Sequence, residues 1–250
     1  MLDGNPGGSR PVKVSILIPI FDEAPSVREL LDKVLDVEID AEKEIIVVES
    51  GSTDGSREIV KEFEAAGKIQ ALYQDRPRGK GNAIKAALAA ATGDIILIQD
   101  GDLEYDIKDY PRLLAPIIEG KADFVLGSRH LGHEDWQFRS FIDDQFYARV
   151  INVGGKFFTM LFNILYGVSL TDPATMYKVF RRSCMEGIHW KCNYFDLDWE
   201  MVAKLIRKGF IPMEVAVSYA SRSTAQGKKI RFWRDGTTVF LAILRFRWFG

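Results

Sequence analysis

Residues 94–102 read DIILIQDGD, an apolar run that ends in two aspartates separated by one glycine. A short run of β-branched and aliphatic residues is typical of a strand buried on both faces of a sheet. Carboxylates at the end of such a strand can bind a hard cation such as Mg²⁺ or Mn²⁺, and Gly101 allows close backbone approach. The segment therefore predicts a metal site at Asp100 and Asp102, with Glu104 as a candidate third ligand. A solvated acidic turn is the alternative.

Strands of the same kind alternate with amphipathic helices on both sides of this segment. The predicted strands are 14–20, 44–48, 69–73, 94–98 and 123–126, and the helical segments between them are 29–37, 56–66, 79–91 and 109–118. This alternation favours a doubly wound α/β fold with a mostly parallel central sheet, which binds ligands at the carboxyl ends of its strands. We therefore expect the functional site at that edge.

The second half of the chain is less regular. Helices are predicted at 150–165 and 197–208, and strands at 177–180 and 213–219. No linker-like segment separates the two halves, so we predict a single domain over residues 12–236. The Gly-rich lead-in, 1–11, is predicted to be disordered, and 237–250 is predicted to be an amphipathic C-terminal segment.

The composition narrows the class of protein. The chain has 250 residues, of which 47% are hydrophobic, and its 33 basic and 35 acidic side chains give a net charge of −2. This balance is ordinary for a soluble globular protein and argues against nucleic acid as the partner. Two cysteines, Cys184 and Cys192, cannot form a disulfide scaffold, which favours a reducing, cytoplasmic location.

The C-terminal segment 237–250 combines apolar residues with Arg245, Arg247 and three late aromatic residues. No run in the sequence reaches the roughly 18 uncharged apolar residues of a membrane-spanning helix. Cations and aromatic side chains together suit the boundary between membrane and water. The segment therefore predicts either a peripheral contact with the cytoplasmic membrane face or a C-terminal helix packed on the domain.

Basic residues follow several of the predicted strands. Lys80 lies in the sequence GKGN ahead of a helix, where such a loop either binds an anion or forms a plain surface turn. Arg129 follows the fifth strand, where it can meet a phosphate or stay an ordinary surface arginine. Arg222 and Lys228 lie in a basic loop that either closes over a diphosphate or is simply solvated.

Five segments, in this order, carry a resemblance to a known family: VSILIPIFDE, ESGSTDGS, GKGNAIKAA, DIILIQDGDLEYD and ADFVLGSR. Together they resemble family 2 glycosyltransferases of the GT-A fold. The later segments LTDPATMYKVFRR and FDLDWEMVAKLIRKG resemble the dolichol-phosphate or polyprenyl-phosphate hexosyltransferases of that family. The resemblance implies a metal-dependent, inverting transfer of a hexose from a UDP- or GDP-sugar to a polyprenyl phosphate.

The resemblance also implies a role for each matching residue. The nucleoside would be contacted by Pro19, Phe21 and Glu23, and its base would be faced by Val48 and Ser50. The ribose, the metal and the diphosphate would be held by Asp100, Gly101 and Asp102, with Glu104 as a further metal ligand. Arg129 would contact the phosphate or the sugar of the donor, Arg222 and Lys228 would contact its diphosphate, and Arg139 would contact the acceptor phosphate.

Two features keep the donor and the acceptor open. Ser50 stands where the family usually has an aspartate that reads the base, so the nucleobase is undetermined. Asp143 and Asp144 lie in the segment expected to face the acceptor, where they would repel a phosphate. A hydroxyl of a soluble acceptor is therefore the alternative, and it would need a general base, for which Asp172 and Asp198 are candidates.

Two other classes of function stay open at this stage. A nucleotide-sugar binding module would keep the nucleotide site without turnover, although Asp100, Asp102 and Arg129 favour catalysis. A nucleotidyltransferase would need a half-reaction that produces pyrophosphate. We take Asp102, Arg129 and Asp172 as the candidate catalytic residues.

Overall fold

Strands and helices alternate along the chain, as the sequence predicts. The computed structural model describes residues 10–132, 145–221 and 232–249, without the side chains of 145–151 and 232–235. Within these residues the strands are β1 (Lys13–Ile20), β2 (Glu42–Glu49), β3 (Gln70–Tyr73), β4 (Ile95–Ile98), β5 (Phe124–Ser128), β6 (Lys178–Arg181) and β7 (Met213–Ala216). The helices are α1 (Ala24–Asp36), α2 (Ser56–Ala65), α3 (Lys80–Ala90), α4 (Tyr110–Ile118), α5 (Gln145–Tyr166), α6 (Asp196–Arg207) and α7 (Phe232–Trp248).

The described strands form one sheet, in the order β3-β2-β1-β4-β6-β5-β7. Strand β1 pairs in parallel with β2 and β4, β2 pairs in parallel with β3, and β5 pairs in parallel with β7. Strand β6 runs antiparallel between β4 and β5. The expectation of a mostly parallel α/β sheet is confirmed. Parallel pairing brings the carboxyl ends of β1, β2 and β4 to one edge.

The centre of the sheet is buried on both faces. Residues 14–18 of β1 and every residue of β4 are buried. Helix α3 packs against β1 and β2, and α4 packs against β5. Continuous apolar strands are what a parallel sheet covered by helices requires. The loops at the carboxyl edge are therefore attached to a rigid base.

Some boundaries differ from the predicted ones. Helix α1 begins at Ala24 rather than at 29, because Pro25 is well suited to the first turn of a helix. Helix α5 begins at Gln145 rather than at 150, and α7 begins at Phe232, ahead of the predicted C-terminal segment. Residues 1–9 of the predicted lead-in lie outside the described residues, and the predicted domain boundaries stay a prediction.

The C-terminal helix α7 packs against α5 and α6. The side chains of Ala242, Ile243 and Phe246 are buried. Arg207 donates to the carbonyl oxygen of Phe246 at 2.8 Å, and the Tyr166 hydroxyl donates to that of Ile243 at 2.9 Å. One face of this segment is therefore packed on the domain. No helix in the described part of the chain is both long and apolar enough to cross a membrane.

Candidate active site

The loops that follow β1 and β2 are joined by hydrogen bonds. Ser52 Oγ accepts from the backbone N–H of Asp22 at 2.9 Å, and Asp22 Oδ1 accepts from the backbone N–H of Thr53 at 2.9 Å. Ser56 Oγ accepts from the backbone N–H of Glu23 at 2.8 Å. The GSTDGS motif thus fixes the end of β1 and its loop. This edge carries the three residues expected to contact the nucleoside, Pro19, Phe21 and Glu23.

Ser50 follows β2 beside this loop. Its backbone N–H donates to the carbonyl oxygen of Ile20 at 2.9 Å, and the residue is buried. Val48 is fully buried within β2, so this structure gives it no exposed surface for a base. Glu49 is equally buried and forms an ion pair with Arg57, so its carboxylate stabilises the loop after β2 and is not turned toward a ligand. The expected contacts of Val48 and Ser50 with the base stay predictions.

Lys80, the first residue of α3, forms an ion pair with Asp100. Burial alone would lower the pKa of Lys80, but the carboxylates of Asp100, Asp198 and Asp102 outweigh that effect and raise the pKa. The side chain is therefore a cation at neutral pH. The structure brings the GKGN loop and the DGD segment together where β4 ends.

Asp102 and Glu104 have hydrogen bonds of their own. Asp102 Oδ1 accepts from the backbone N–H of Glu104 at 3.0 Å, and Glu104 Oε2 accepts from the Tyr219 hydroxyl at 2.6 Å. Across the described ranges, no three or more histidine, cysteine or acidic side chains come together in a way that could hold a metal ion. The three expected metal ligands, Asp100, Asp102 and Glu104, therefore do not form one cluster, because Lys80 binds Asp100 and Tyr219 binds Glu104.

The donor set at this edge still fits a divalent ion that is shared with a ligand. Mg²⁺ is typically bound by one or two carboxylates together with substrate phosphates, rather than by an all-protein cage. Asp102 is a half-buried carboxylate of this kind, beside the Lys80–Asp100 pair. Gly101 keeps this segment against β1, since a Cβ there would come 2.6 Å from the carbonyl oxygen of Pro19.

Arg129, directly after β5, forms a bidentate ion pair with Asp172. Its Nε lies 2.6 Å from Oδ2, its Nη2 lies 2.8 Å from Oδ1, and its backbone N–H donates to Oδ2 at 3.1 Å. The ring centroids of Tyr105 and Tyr219 lie 5.9 and 5.2 Å from the guanidinium carbon. Burial alone would lower the pKa of Arg129, but Asp172 outweighs it and raises the pKa well above its ordinary value. Arg129 is thus a fixed cation.

Both carboxylates expected as general bases face basic side chains. Asp172 is fully buried, and both of its oxygens accept from Arg129. Asp198, in the first turn of α6, lies 3.1 Å from Lys178 Nζ. Burial raises the pKa of Asp198, and Lys178 and Lys80 oppose that shift, while burial also lowers the pKa of Lys178. The geometry favours Asp172 as the residue that orients Arg129, and its role as a catalytic base stays a prediction.

Comparison with known families decides the class of this fold and site. Residues 15–187 match the sequence profile described as Glycosyl transferase family 2. This chain belongs to that family. The resemblance found in the sequence is confirmed, and the protein is a glycosyltransferase.

Three curated relatives of this glycosyltransferase are named for transfer reactions. Glycosyltransferase AglJ of Haloferax volcanii is 26% identical over 94% of this chain and 72% of its own length. The undecaprenyl-phosphate 4-deoxy-4-formamido-L-arabinose transferase of Proteus mirabilis is 27% identical over 86% of this chain and 62% of its own. The dolichol-phosphate mannosyltransferase of Pyrococcus furiosus is 23% identical over 92% and 61%. The chain thus spans between 61% and 72% of these relatives.

A solved structure with the same fold is that of glucosyl-3-phosphoglycerate synthase from Mycobacterium tuberculosis. It superposes with a TM-score of 0.70 over 96% of this chain and 80% of that chain, at 16% identity. At this identity the likeness concerns the fold alone. The expected GT-A fold of this glycosyltransferase is confirmed.

Several residues with expected roles lie outside the described residues. These are the acceptor-phosphate candidate Arg139, the two cations of the basic loop, Arg222 and Lys228, and the acidic pair Asp143 and Asp144. Their expected roles stay predictions.

Two tyrosines that flank Arg129 could not be found from the sequence. Tyr105 and Tyr219 form an antiparallel β-bridge, and their ring centroids lie 5.1 Å apart. Tyr105 follows the DGD segment and Tyr219 precedes the basic loop, so their contact joins distant parts of the chain. In the sequence these two positions were the only indication of the contact.

Gly79→Ala is expected to destabilise this glycosyltransferase. Gly79 has a φ of 98°, and a Cβ there would come 2.2 Å from the carbonyl oxygen of Asn193. Backbone strain of this kind costs on the order of 1–3 kcal/mol, and the clash adds to it. Denaturant unfolding should show the loss. The control is Gly120→Ala, with a φ of 72° and no atom within 4 Å of its Cβ. Equal losses in the two variants would contradict the clash.

Proposed function

We propose that this glycosyltransferase moves a hexose from a UDP- or GDP-sugar to a polyprenyl phosphate, with inversion at the anomeric carbon. The observation that supports this acceptor is the bidentate pairing of Asp172, the expected base closest to Arg129, with the Arg129 cation. A hydroxyl acceptor needs a base to take its proton, whereas a phosphate acceptor is already ionised. The geometry therefore favours the phosphate.

The names of two relatives support the same acceptor class, and a solved structure of the same fold supports the donor class. The Proteus mirabilis relative is named for undecaprenyl phosphate, and the Pyrococcus furiosus relative for dolichol phosphate. The Mycobacterium tuberculosis synthase has been crystallised with Mn²⁺ and UDP, and also with Mg²⁺ and UDP. We extend the nucleoside diphosphate, the divalent ion and the lipid phosphate to this chain as parts of the proposal.

Charge on the leaving group is the physical problem of this reaction. An oxygen of the acceptor phosphate forms a bond to the anomeric carbon, while the bond from that carbon to the donor's diphosphate oxygen breaks. The electron pair of the broken bond leaves with the nucleoside diphosphate, and no proton has to move. Arg129 and Lys80 are cations at the carboxyl edge of the sheet, and both would stabilise the charge that develops on the leaving diphosphate.

The remaining assignments follow the family resemblance. A divalent ion, Mg²⁺ or Mn²⁺, would supply further neutralisation of the diphosphate, and Asp102 is the residue we assign to hold it. We assign the nucleoside to Pro19, Phe21 and Glu23, the diphosphate also to Arg222 and Lys228, and the acceptor phosphate to Arg139.

The acceptor is tested with two lipids that differ only in a phosphate. The protein is incubated with Mn²⁺ and labelled UDP-glucose or GDP-mannose, together with undecaprenyl phosphate or undecaprenol in vesicles. We expect label in the lipid phase only when the phosphate is present. Transfer to undecaprenol or to a soluble hydroxyl acceptor, without transfer to undecaprenyl phosphate, would favour the alternative reaction. Absence of turnover with every acceptor would favour a binding module.

The outer face of α5 supports a location at the membrane surface. Val153, Phe157, Met160 and Ile164 are between 48% and 71% exposed, and their spacing places them on one side of the helix. Helix α5 contains no acidic residue, and its Lys156 is exposed. An apolar stripe accompanied by a basic residue and no acidic one is complementary to an anionic bilayer. We place the reaction at the cytoplasmic membrane face, with this stripe as the contact.

The double variant Phe157→Ser, Ile164→Ser is expected to bind anionic vesicles at least tenfold more weakly, since a buried apolar side chain contributes about 1.5–3 kcal/mol. Co-sedimentation with phosphatidylglycerol-containing vesicles measures this. The control is Ile211→Ser, which removes a 60% exposed isoleucine from the segment just before β7, outside α5. Unchanged sedimentation of the double variant, or an equal loss in the control, would contradict the membrane contact.

A further inference from the structure

Glu214, in β7, reaches the loop that carries Asp172. Its Oε2 accepts from the backbone N–H of Thr171 at 2.8 Å, and its Oε1 accepts from the backbone N–H of Asp172 at 2.8 Å. The Thr171 hydroxyl also donates to Oε1 at 3.0 Å. One carboxylate therefore holds two consecutive backbone N–H groups and a side chain.

The same loop continues the contact to Arg129. Asp172 meets the guanidinium with both oxygens, at 2.6 and 2.8 Å. Thr171 Oγ1 lies 2.6 Å from Ser128 Oγ, which in turn accepts from the backbone N–H of Leu131 at 3.0 Å. Through this loop, Glu214 is connected both to the acidic partner of Arg129 and to the segment that follows β5.

The hydrogen bonds that Glu214 accepts from this loop require a carboxylate at position 214. Hydrogen bonds to an ionised acceptor are roughly twice as strong as those between neutral groups. Burial raises the pKa of the Glu214 carboxyl, and the N–H groups of Thr171 and Asp172 oppose that shift. An amide at this position would turn one of its own N–H groups toward the N–H of Thr171, and the loop would have to move.

We infer that Glu214 is a positioning residue for the donor phosphates: it sets the place of Asp172 and, through Asp172, the direction of the Arg129 guanidinium. This role rests on the proposed function, in which Arg129 contacts the diphosphate. Glu214 acts through Asp172 and takes no part in bond making or breaking.

A double-mutant cycle tests the path from Glu214 through Asp172. We expect Glu214→Gln to weaken the binding of UDP or GDP with Mn²⁺ about tenfold. In an Asp172→Asn background the same substitution should change the affinity by less than about twofold, because residues that act through one another are not additive. Glu214→Asp, which keeps the carboxylate, should restore part of the affinity. Equal effects of Glu214→Gln in both backgrounds, or no effect in either, would overturn the inference.

A second measurement needs no nucleotide. Hydrogen exchange of the Arg129 Nε–H, followed by NMR, reports on the ion pair directly. We expect faster exchange in Glu214→Gln than in the wild type, with Glu214→Asp between them. Unchanged exchange in folded Glu214→Gln would overturn the inference. If Glu214→Gln does not fold, Glu214→Asp carries both measurements. A wild type that binds neither UDP nor GDP, while exchange changes as expected, would contradict the proposed function and leave the positioning role standing.

Discussion

Asp102→Ala is expected to lower the turnover number about a thousandfold, which corresponds to about 4 kcal/mol of lost transition-state stabilisation. Asp102 is the residue assigned to hold the divalent ion beside the leaving diphosphate. Without the Asp102 carboxylate the ion is lost, and the charge on the diphosphate is no longer neutralised by it. Steady-state kinetics with saturating donor and Mn²⁺ measures the effect.

The matched control for this variant is Asp40→Ala. Asp40 is an exposed aspartate just before β2, at the opposite end of that strand from the site. Its replacement should leave turnover close to that of the wild type, because exposed side chains away from the site have small effects. Full activity of Asp102→Ala, or full activity of the wild type in EDTA, would contradict the assigned metal role.

Asp172→Ala is expected to lower the free energy of unfolding by about 3–5 kcal/mol, because it leaves a buried charge without its partner. The Arg129 side chain is 9% exposed and that of Asp172 is fully buried. Denaturant unfolding measures the loss. Adding Arg129→Met to the same chain should recover part of the stability, since the unpaired charge is then gone. A single variant as stable as the wild type would contradict the structural role of the pair.

The same positions separate the two roles open to Asp172. If Asp172 orients Arg129, then Asp172→Asn and Arg129→Lys should both lower turnover, because each removes the bidentate geometry. If Asp172 is a catalytic base, Asp172→Asn should abolish turnover, whereas Arg129→Lys, which keeps a charge beside the diphosphate, should lower turnover much less. Kinetics of the two variants with one donor and one acceptor decides between them.

The fold could be predicted because its central strands are continuous apolar runs. Strands β1, β2 and β4 are buried at the centre of the sheet, and the same residues stand out in the sequence. Helix boundaries were less predictable. The apolar periodicity of α1 begins at 29, but Pro25 allows the helix to start at Ala24.

Side-chain partners could not be predicted in the same way. The spacing of Asp100, Asp102 and Glu104 places three carboxylates close together along the chain. In the fold, Lys80 and Tyr219 approach from other segments and bind two of them. A sequence shows the residue types at a site, whereas the pairing of buried charges depends on which distant segments the fold brings into contact.

The pair formed by Arg129 and Asp172 shows the same limit. From the local sequence alone, Arg129 is predicted to be an ordinary arginine after a strand and Asp172 a turn-forming aspartate before a proline. Their bidentate contact exists because the loop before β6 reaches the end of β5, and Glu214 holds that loop from β7. None of these contacts has a signature in the local sequence.

The central claim is a nucleotide-sugar site at the carboxyl edge of the sheet. Thermal unfolding of the wild type and of Asp102→Ala, with UDP-glucose or GDP-mannose and with or without Mn²⁺, tests it most directly, because a ligand that binds only the folded state raises Tm. We predict a Mn²⁺-dependent rise in Tm with one of these donors, and its loss in Asp102→Ala. An unchanged Tm of the wild type with both donors in the presence of Mn²⁺ would contradict the claim.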